Sequence, residues 1–559
     1  MIADAAGAGL PDRLQADLVI VGAGAAGIAL AVSLADTPLE IVVLEAGGER
    51  FSKVQQDHYR AASFTPAAHG QVDLYRRRVL GGSTSVWGGR CIPFDPIDFE
   101  ERPWLGPYAR WPIEYDEVAA FYPRALELAR AGAPEFDAAT ALPGEPGPLV
   151  PGVASQDVIL DRIERFSEPT DFGKTYRTRI ASCPRIRLFT GAAVDRIETR
   201  DGGAAVAGVR ARLPGNRDVR VEAGRVVLAT GGIETARLLL ASTAERPAGL
   251  GNERDLVGRF YQCHIEGELG ELVFTAPRKS LRLDYQRSRD GIYCRRYIWL
   301  SPEAQRREAL AGLVLRPAHA SIVDAGHRDP VLSAMFLVKD SIVPEYARKM
   351  TALEHEARQR HGSGSGFYAA HLRNVVLGAP RLAAFSADWL RRRTFARRKL
   401  PSVFLLDPRE TYPADVNAEQ EPNPDSRITL SQERDALGMP RVAVDWRITE
   451  ADTDRVLRGV RLITEAFAGS DTARLTVSQE AVERWQATRI PVGGHHIGTA
   501  RMAETDRTGV CDANGELFGT RGLYIAGAAA FPTSGFANPT LTLLALTLRL
   551  GAHLAQAPR

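Results

Sequence analysis

Residues 17–34, DLVIVGAGAAGIALAVSL, decide the fold. Leu18-Val-Ile-Val21 is an unbroken apolar run without polar alternation, the pattern of a strand buried on both faces. Gly22-Ala-Gly24-Ala-Ala-Gly27 follows at once, and the Ala-rich residues from about Ala25 to Leu34 read as a helix. Ile41-Val-Val-Leu-Glu45 is a second buried strand. Strand, turn, helix and strand make a βαβ unit, hence a parallel sheet and an α/β fold. In such a G-x-G-x-x-G turn the first glycine permits the tight bend and the second lets backbone approach a pyrophosphate at the helix N-terminus. The third admits close packing of helix on strand. Glu45, ending the second strand, is placed to accept hydrogen bonds from a ribose diol. The unit is therefore expected to bind a dinucleotide.

The rest of the composition narrows the class. At 559 residues, 45% hydrophobic and 25% charged, the chain is long enough for two interleaved domains and is neither disordered nor a disulfide-dense scaffold. Lys plus Arg (70) against Asp plus Glu (68) gives +2, so no global field holds a polyanion and no nucleic-acid partner is expected. The five cysteines (Cys91, Cys183, Cys263, Cys294, Cys511) are scattered, without a C-x-x-C pair, which speaks against a disulfide framework or zinc cage and for a reducing compartment. No basic region leads into the apolar run at 18–35 and no segment has the ~20 apolar residues of a membrane span. A cytoplasmic protein with a small-molecule partner is expected.

Further along, a polar lead precedes Asp17, and 131–152 (AGAPEFDAATALPGEPGPLVPG) reads as a Pro/Gly-rich surface excursion. Strand signals return from Leu188 to about Leu240 and run into the helix ETARLLLAS. HGSGSG at 361–366 reads as a loop. Residues 341–400 hold twelve Lys/Arg against four Asp/Glu, either the solvated face of a cover helix or a docking surface.

Three further motifs carry chemistry. They are Glu45-Ala-Gly-Gly48, Gly81-Gly-Ser-Thr-Ser-Val-Trp-Gly-Gly89, and a C-terminal block of Gly493-Gly-His-His-Ile-Gly-Thr-Ala-Arg-Met502, Leu523-Tyr-Ile-Ala-Gly527 and Phe531-Pro-Thr-Ser-Gly-Phe-Ala-Asn-Pro-Thr540. With them the chain resembles the glucose-methanol-choline (GMC) family of FAD-dependent oxidoreductases, nearest the pyranose oxidase and bacterial glycoside 3-oxidase branch. The resemblance implies a Rossmann-like FAD-binding domain (1–110, 185–270, 485–559) interleaved with a substrate-binding domain (111–184, 271–484) built on an antiparallel sheet with covering helices. It assigns to the cofactor Gly22, Gly24, Ala26, Gly27, Glu45, Ala46, Gly81, Gly82, Ser83, Val86, Trp87, Gly88, Gly89, Val194, Ala229, Gly231, Gly527, Ala528, Asn538, Pro539 and Thr540. Some members carry a histidine bonded covalently to the flavin; Val86 holds that place here, which implies non-covalent FAD. A threonine that lies near flavin N5 in one branch is replaced by Gly88.

The family's base is the histidine followed by two residues and then Gly-Thr, which matches His495 and not His496, and its partner before the last proline matches Asn538. Imidazole suits the task because an alcohol carbon gives up hydride only as its hydroxyl proton leaves, to a base of near-neutral pKa. Gln420, Arg427 and His496 are expected to face substrate, and no metal site is legible. The implied reaction oxidises a secondary hydroxyl of a sugar, glycoside or polyol to a ketone by hydride transfer to flavin N5, electrons then passing to O2 or another acceptor. A primary-alcohol oxidoreductase acting on an amino sugar or other biosynthetic intermediate, and a non-redox flavin-containing relative, are the alternatives; homo-oligomer formation stays open. G-x-S-x-G and C-x-x-C-H are absent, which removes a serine hydrolase and a haem-bearing chain.

Overall fold

The computed structural model describes the chain except for residues 8–9, 67–68, 169, 216, 343–364, 489–493 and 557–559. The strand Leu18–Val21 lies inside a six-stranded parallel sheet in the order Ile2–Asp4, Ile186–Thr190, Ile41–Glu45, Leu18–Val21, Val226–Leu228, Leu523–Ile525. Its central strands are buried at every residue, which is why they read as continuous apolar runs. The helix Ala25–Ser33 covers the sheet and packs on the last helix, Thr540–Gln556; Gly551 allows this, since a Cβ there would stand 2.6 Å from Ser33 Oγ.

The carboxyl ends of these strands bring four turns to one rim: Gly22–Gly24, Ala46–Gly47, Ala229–Gly231 and Ala526–Ala528. In open α/β sheets ligands bind along that rim.

A second six-stranded sheet is antiparallel throughout, in the order Ala473–Thr476, Ile265–Phe274, Thr411–Ala418, Leu313–Pro317, Ile298–Leu300, Val158–Ile159. The helix Glu450–Ala468 covers it, burying Val456, Val460, Ile463 and Phe467 at helical spacing. It starts at a capping box in which Thr449 Oγ1 accepts from Asp452 N and Asp452 Oδ2 accepts from Thr449 N, both at 2.9 Å.

The fold is thus the expected α/β architecture, a parallel sheet with covering helices beside an antiparallel one. Several local readings need correction. Ile2–Asp4 adds a parallel edge strand where the sequence reads as a polar lead. Ile265–Phe274 belongs whole to the antiparallel sheet, so the boundary drawn at 270 cuts a strand. The 131–152 stretch is no mere excursion: Ala138, Ala141, Leu149 and Val150 are fully buried. Of HGSGSG, 361–364 lie outside the described residues and Ser365 and Gly366 open the helix Ser365–Leu377. Residues 343–364 of the basic 341–400 stretch likewise lie outside them; its described part includes this helix, Ala379–Trp389 and the helical turn Leu390–Thr394. Among the described residues no helix is long and apolar enough to cross a membrane.

Candidate active site

The rim and the antiparallel sheet enclose one continuous cavity of about 2050 Å³. Each glycine of the first turn has its own reason. Gly22 has φ +96° and a Cβ there would meet Ala229 O at 2.7 Å; at Gly27 it would meet Gly22 O at 1.9 Å. A Cβ on Gly24, by contrast, meets nothing within 4 Å and points into the cavity wall's open side. Protein packing therefore explains two glycines and leaves the middle one to a ligand. Gly88 and Gly231, also on the cavity, have the same empty surroundings.

Glu45 is buried, its Oε2 accepting from Ala23 N (2.8 Å) and its Oε1 from Gly47 N (2.7 Å). Burial pushes its pKa up, against the pull of those two amides. The carboxylate thus pins the glycine turn to the strand end, a role beyond the diol contact expected of it. Every residue assigned above to the cofactor lines the cavity except Gly27 and Gly81, which shape it from behind. Trp87 is held by its indole N–H donating to Thr170 O (3.1 Å), whereas Val86 is exposed to the cavity.

His495 and Asn538 meet on the same cavity: Asn538 Nδ2 lies 3.0 Å from His495 Nε2. Asn538 is placed by the turn into the helix Thr540–Gln556, and its Oδ1 is buried without a hydrogen-bond partner among the described residues. On its other side His495 Nδ1 lies 2.9 Å from Nδ1 of His264. The pairing follows from a backbone bridge: Gln262 N donates to Ile497 O (3.0 Å) and Ile497 N to Gln262 O (3.1 Å). This register sets residues 261–264 beside 495–496.

His496 uses the same bridge. Its Nδ1 lies 2.7 Å from Tyr261 Oη and its ring stacks on the tyrosine, while Tyr261 Oη also reaches His69 Nε2 at 3.3 Å. His496 Nε2 is buried with no partner among the described residues, on the cavity. Burial drives the pKa of His496 well below the ordinary value and those of His264 and His69 down to about 4. The orphaned Asn538 Oδ1 and His496 Nε2, with the open glycines, fit a polar ring system laid along this wall.

Two expected substrate contacts are not there. Gln420 is fully buried and spent on structure: Oε1 accepts from Trp446 Nε1 (2.8 Å) and Cys263 N (3.2 Å), and Nε2 donates to Arg447 O (2.6 Å). Arg427 pairs with Asp255 (2.8 Å) away from the cavity. Their motif forms the hairpin Arg427–Arg434 and Pro440–Asp445, joined in parallel by Ser63–Thr65, and frames the site. Against the expectation of no metal site, ligand-type atoms of His264, Glu266 and His495 come within 4.8 Å of one another, although the two imidazoles are already joined by the hydrogen bond. Gly493 of the motif lies outside the described residues.

Sequence reading missed His264, Tyr261 and Glu266, which the remote Gln262–Ile497 bridge brings to the site, and His69, which follows the strand Ser63–Thr65 and reaches Tyr261 Oη. It also missed the buried ionic network below the first turn, where Arg76 pairs with Glu234 (3.0 Å), Arg237 with Glu234 (3.2 Å) and Asp435 (2.8 Å), and Asp435 with His58 (3.1 Å). Burial would raise the Asp435 carboxyl, but His58 and Arg237 hold it well below the usual carboxylate range.

Comparison with known proteins agrees with this architecture. The family profile described as GMC oxidoreductase matches residues 422–547. A 2-methyl-1,2-propanediol dehydrogenase of Mycolicibacterium austroafricanum is 23% identical over 97% of this chain and 95% of its own length. A C-glycoside 3-oxidase of Arthrobacter globiformis is 33% identical over 22% of each chain. The crystal structure of pyridoxine 4-oxidase from Mesorbium loti shares the fold, with a TM-score of 0.53 and 17% identity over 97% of this chain and 100% of that one. The profile covers the segment bearing Asn538 and the start of the last helix, and a relative at 23% identity spans nearly the whole chain; together these matches support the GMC oxidoreductase family, whose members generally depend on FAD.

Proposed function

We propose that this chain oxidises a secondary hydroxyl of a sugar, glycoside or polyol to a ketone, with FAD held without a covalent bond. The observation that carries the reading is the His495–Asn538 pair, 3.0 Å apart on the wall of a cavity large enough for cofactor and substrate together. The names of the two relatives, a diol dehydrogenase and a glycoside 3-oxidase, support a polyol or glycoside as substrate; 2-methyl-1,2-propanediol has only a primary and a tertiary hydroxyl, so the secondary hydroxyl rests on the glycoside 3-oxidase.

FAD would lie along the rim, its pyrophosphate at the N-terminus of Ala25–Ser33, where free backbone amides and the helix dipole favour negative charge and Gly24 leaves room. Bound there, it supplies the two-electron acceptor for the carbon-bound hydrogen. His495 Nε2 takes the hydroxyl proton. Asn538 Nδ2 donates to the hydroxyl oxygen and so fixes the carbon relative to the cofactor. Val86 offers no nucleophile for a covalent link, so acid precipitation should release all flavin to the supernatant. We assign the FAD site to the parallel sheet and the substrate wall to the antiparallel one, and leave O2 or another acceptor to reoxidise the cofactor. The five buried free cysteines suit a reducing compartment, and we place the protein in the cytoplasm.

The test is an anaerobic absorbance scan with monosaccharides, O- and C-glycosides, amino sugars and simple alcohols. Bleaching of the oxidised-flavin band by glycosides or polyols, lost in His495→Ala with FAD content unchanged, is the expected result. Equal bleaching in His495→Ala, or none with the sugar panel, overturns the reading.

A further inference from the structure

We propose that His264 is a positioning residue that fixes His495 in the tautomer able to act as a base, with the proton on Nδ1 and the lone pair on Nε2. The inference rests on the reading of His495 as the base.

The hydrogen bonds decide the proton positions in sequence. His264 Nε2 lies 3.4 Å from Ser534 O, and a carbonyl only accepts, so Nε2 of His264 carries its hydrogen. His264 is almost completely buried, which keeps the ring neutral, so its Nδ1 holds a lone pair. The 2.9 Å contact between the two Nδ1 atoms needs one proton, and it has to come from His495. A neutral His495 with hydrogen on Nδ1 has Nε2 unprotonated. That agrees with the independent contact on the cavity side, where the amide Nδ2 of Asn538 approaches Nε2 as a donor at 3.0 Å. Two contacts on opposite sides of the ring thus give one tautomer.

The chemical consequence concerns the moment of proton transfer. When Nε2 takes the hydroxyl proton, the Nδ1–H bond to His264 becomes charge-assisted and stabilises the imidazolium. A neutral acceptor does this more gently than a carboxylate would, so the base stays strong enough to take the proton without being held protonated beforehand. The other charged or titratable groups around the pair are Glu266, two residues on from His264, Glu419 and Arg316 beyond His264, and His496 with Arg76 and His69 beyond it. The contact shown at His495 Nδ1 is the one to His264. That acceptor cannot be read from the C-terminal motif, because His264 reaches it only through the Gln262–Ile497 bridge.

Two substitutions separate the acceptor from the packing. His264→Asn puts an amide oxygen close to where Nδ1 stood, whereas His264→Leu fills the space and accepts nothing. The primary measurement is the 15N spectrum of the FAD-loaded, histidine-labelled protein, with His495 assigned by its loss in His495→Ala. His495 should appear as the Nδ1–H tautomer in the wild type and His264→Asn, and as Nε2–H in His264→Leu. The second is the pH profile of anaerobic flavin reduction: His264→Leu should lose about 100-fold or more in limiting rate, the low end of general-base contributions, with substrate affinity little changed. Its acid limb should move to lower pH, since the imidazolium has lost a partner, while His264→Asn keeps the wild-type limb.

An Nε2–H tautomer in the wild type overturns the proposal even if His264→Leu does not fold. So does a His264→Leu enzyme with the wild-type tautomer and pH limb. Undiminished flavin reduction in His495→Ala overturns instead the assignment of the base, and the tautomer measurement stands apart from it.

Discussion

Substituting Gly24 by alanine should leave the flavin-free protein almost as stable as before and yet remove most of its affinity for FAD. A Cβ at Gly24 has nothing within 4 Å, and its φ of −82° and ψ of −162° are open to any L-residue. Replacing glycine at a helix N-cap by alanine costs about 0.5–1 kcal/mol. Restricting the unfolded chain returns about 0.4–1 kcal/mol, so the net change in the flavin-free protein is near zero. The bound state differs, because the methyl group stands where phosphate oxygens would approach the amides of the helix N-terminus. Losing one or two charge-assisted hydrogen bonds, each worth about 1.5–3 kcal/mol, weakens binding by roughly 10- to 1000-fold or more. Gly27→Ala is the control, since its Cβ would lie 1.9 Å from Gly22 O and must displace backbone, destabilising the flavin-free protein by several kcal/mol. Thermal melting of the flavin-free proteins and titration with FAD, followed by flavin fluorescence, read the two effects separately. Wild-type affinity in Gly24→Ala, or a melting loss matching that of Gly27→Ala, would refute the placement of the pyrophosphate.

Other outcomes follow from the same geometry. Asp435→Asn should destabilise the protein by about 1.5–3 kcal/mol at neutral pH, the worth of the charge-assisted bond to Arg237, which keeps its second partner Glu234. Because the folded pKa of Asp435 is depressed, its contribution is complete above the unfolded Asp value of about 4 and is lost as pH falls below it. The gap in melting temperature between wild type and Asp435→Asn should therefore narrow on acidification below that value; a constant gap contradicts the ion-pair account. Asn538→Ala should keep FAD and slow its reduction by substrate at least tenfold, read in the same anaerobic scan, and an unchanged rate removes the orienting role. Arg427→Ala should leave substrate affinity unchanged, because its guanidinium is committed to Asp255; a raised KM would return Arg427 to the substrate wall.

What the sequence disclosed and what it hid divide along a physical line. The βαβ unit from Leu18 to Glu45, the glycine turns and the His495 and Asn538 motifs are local patterns, each complete within one short stretch of chain, and the structure gathers nearly all of them on one cavity. His264 and Tyr261 belong to no local pattern; they act because a backbone bridge joins segments more than two hundred residues apart. Gln420 misled for a related reason. An amide in a motif near the site reads as a substrate contact, but its three polar contacts with Trp446, Cys263 and Arg447 are tertiary and invisible in the chain. Ile2–Asp4 was equally illegible, since a three-residue edge strand needs only a partner, here Ile186–Thr190, and leaves no periodicity.

The electrostatics of the pair explain why one imidazole among several serves as the base. His264, His496 and His69 are each held neutral by burial, so the cluster brings no fixed positive charge to His495 at neutral pH. A second imidazolium at hydrogen-bond distance would repel the incoming proton strongly in a water-poor site. Asn538 completes the arrangement from the other side, offering a donor without a charge of its own. Replacing it by aspartate would put a carboxylate against Nε2, where it would hold His495 protonated and leave the ring unable to accept. The neighbouring imidazoles and the Asn538 amide are thus neutral, so no cation beside His495 opposes the proton that its Nε2 takes from the hydroxyl.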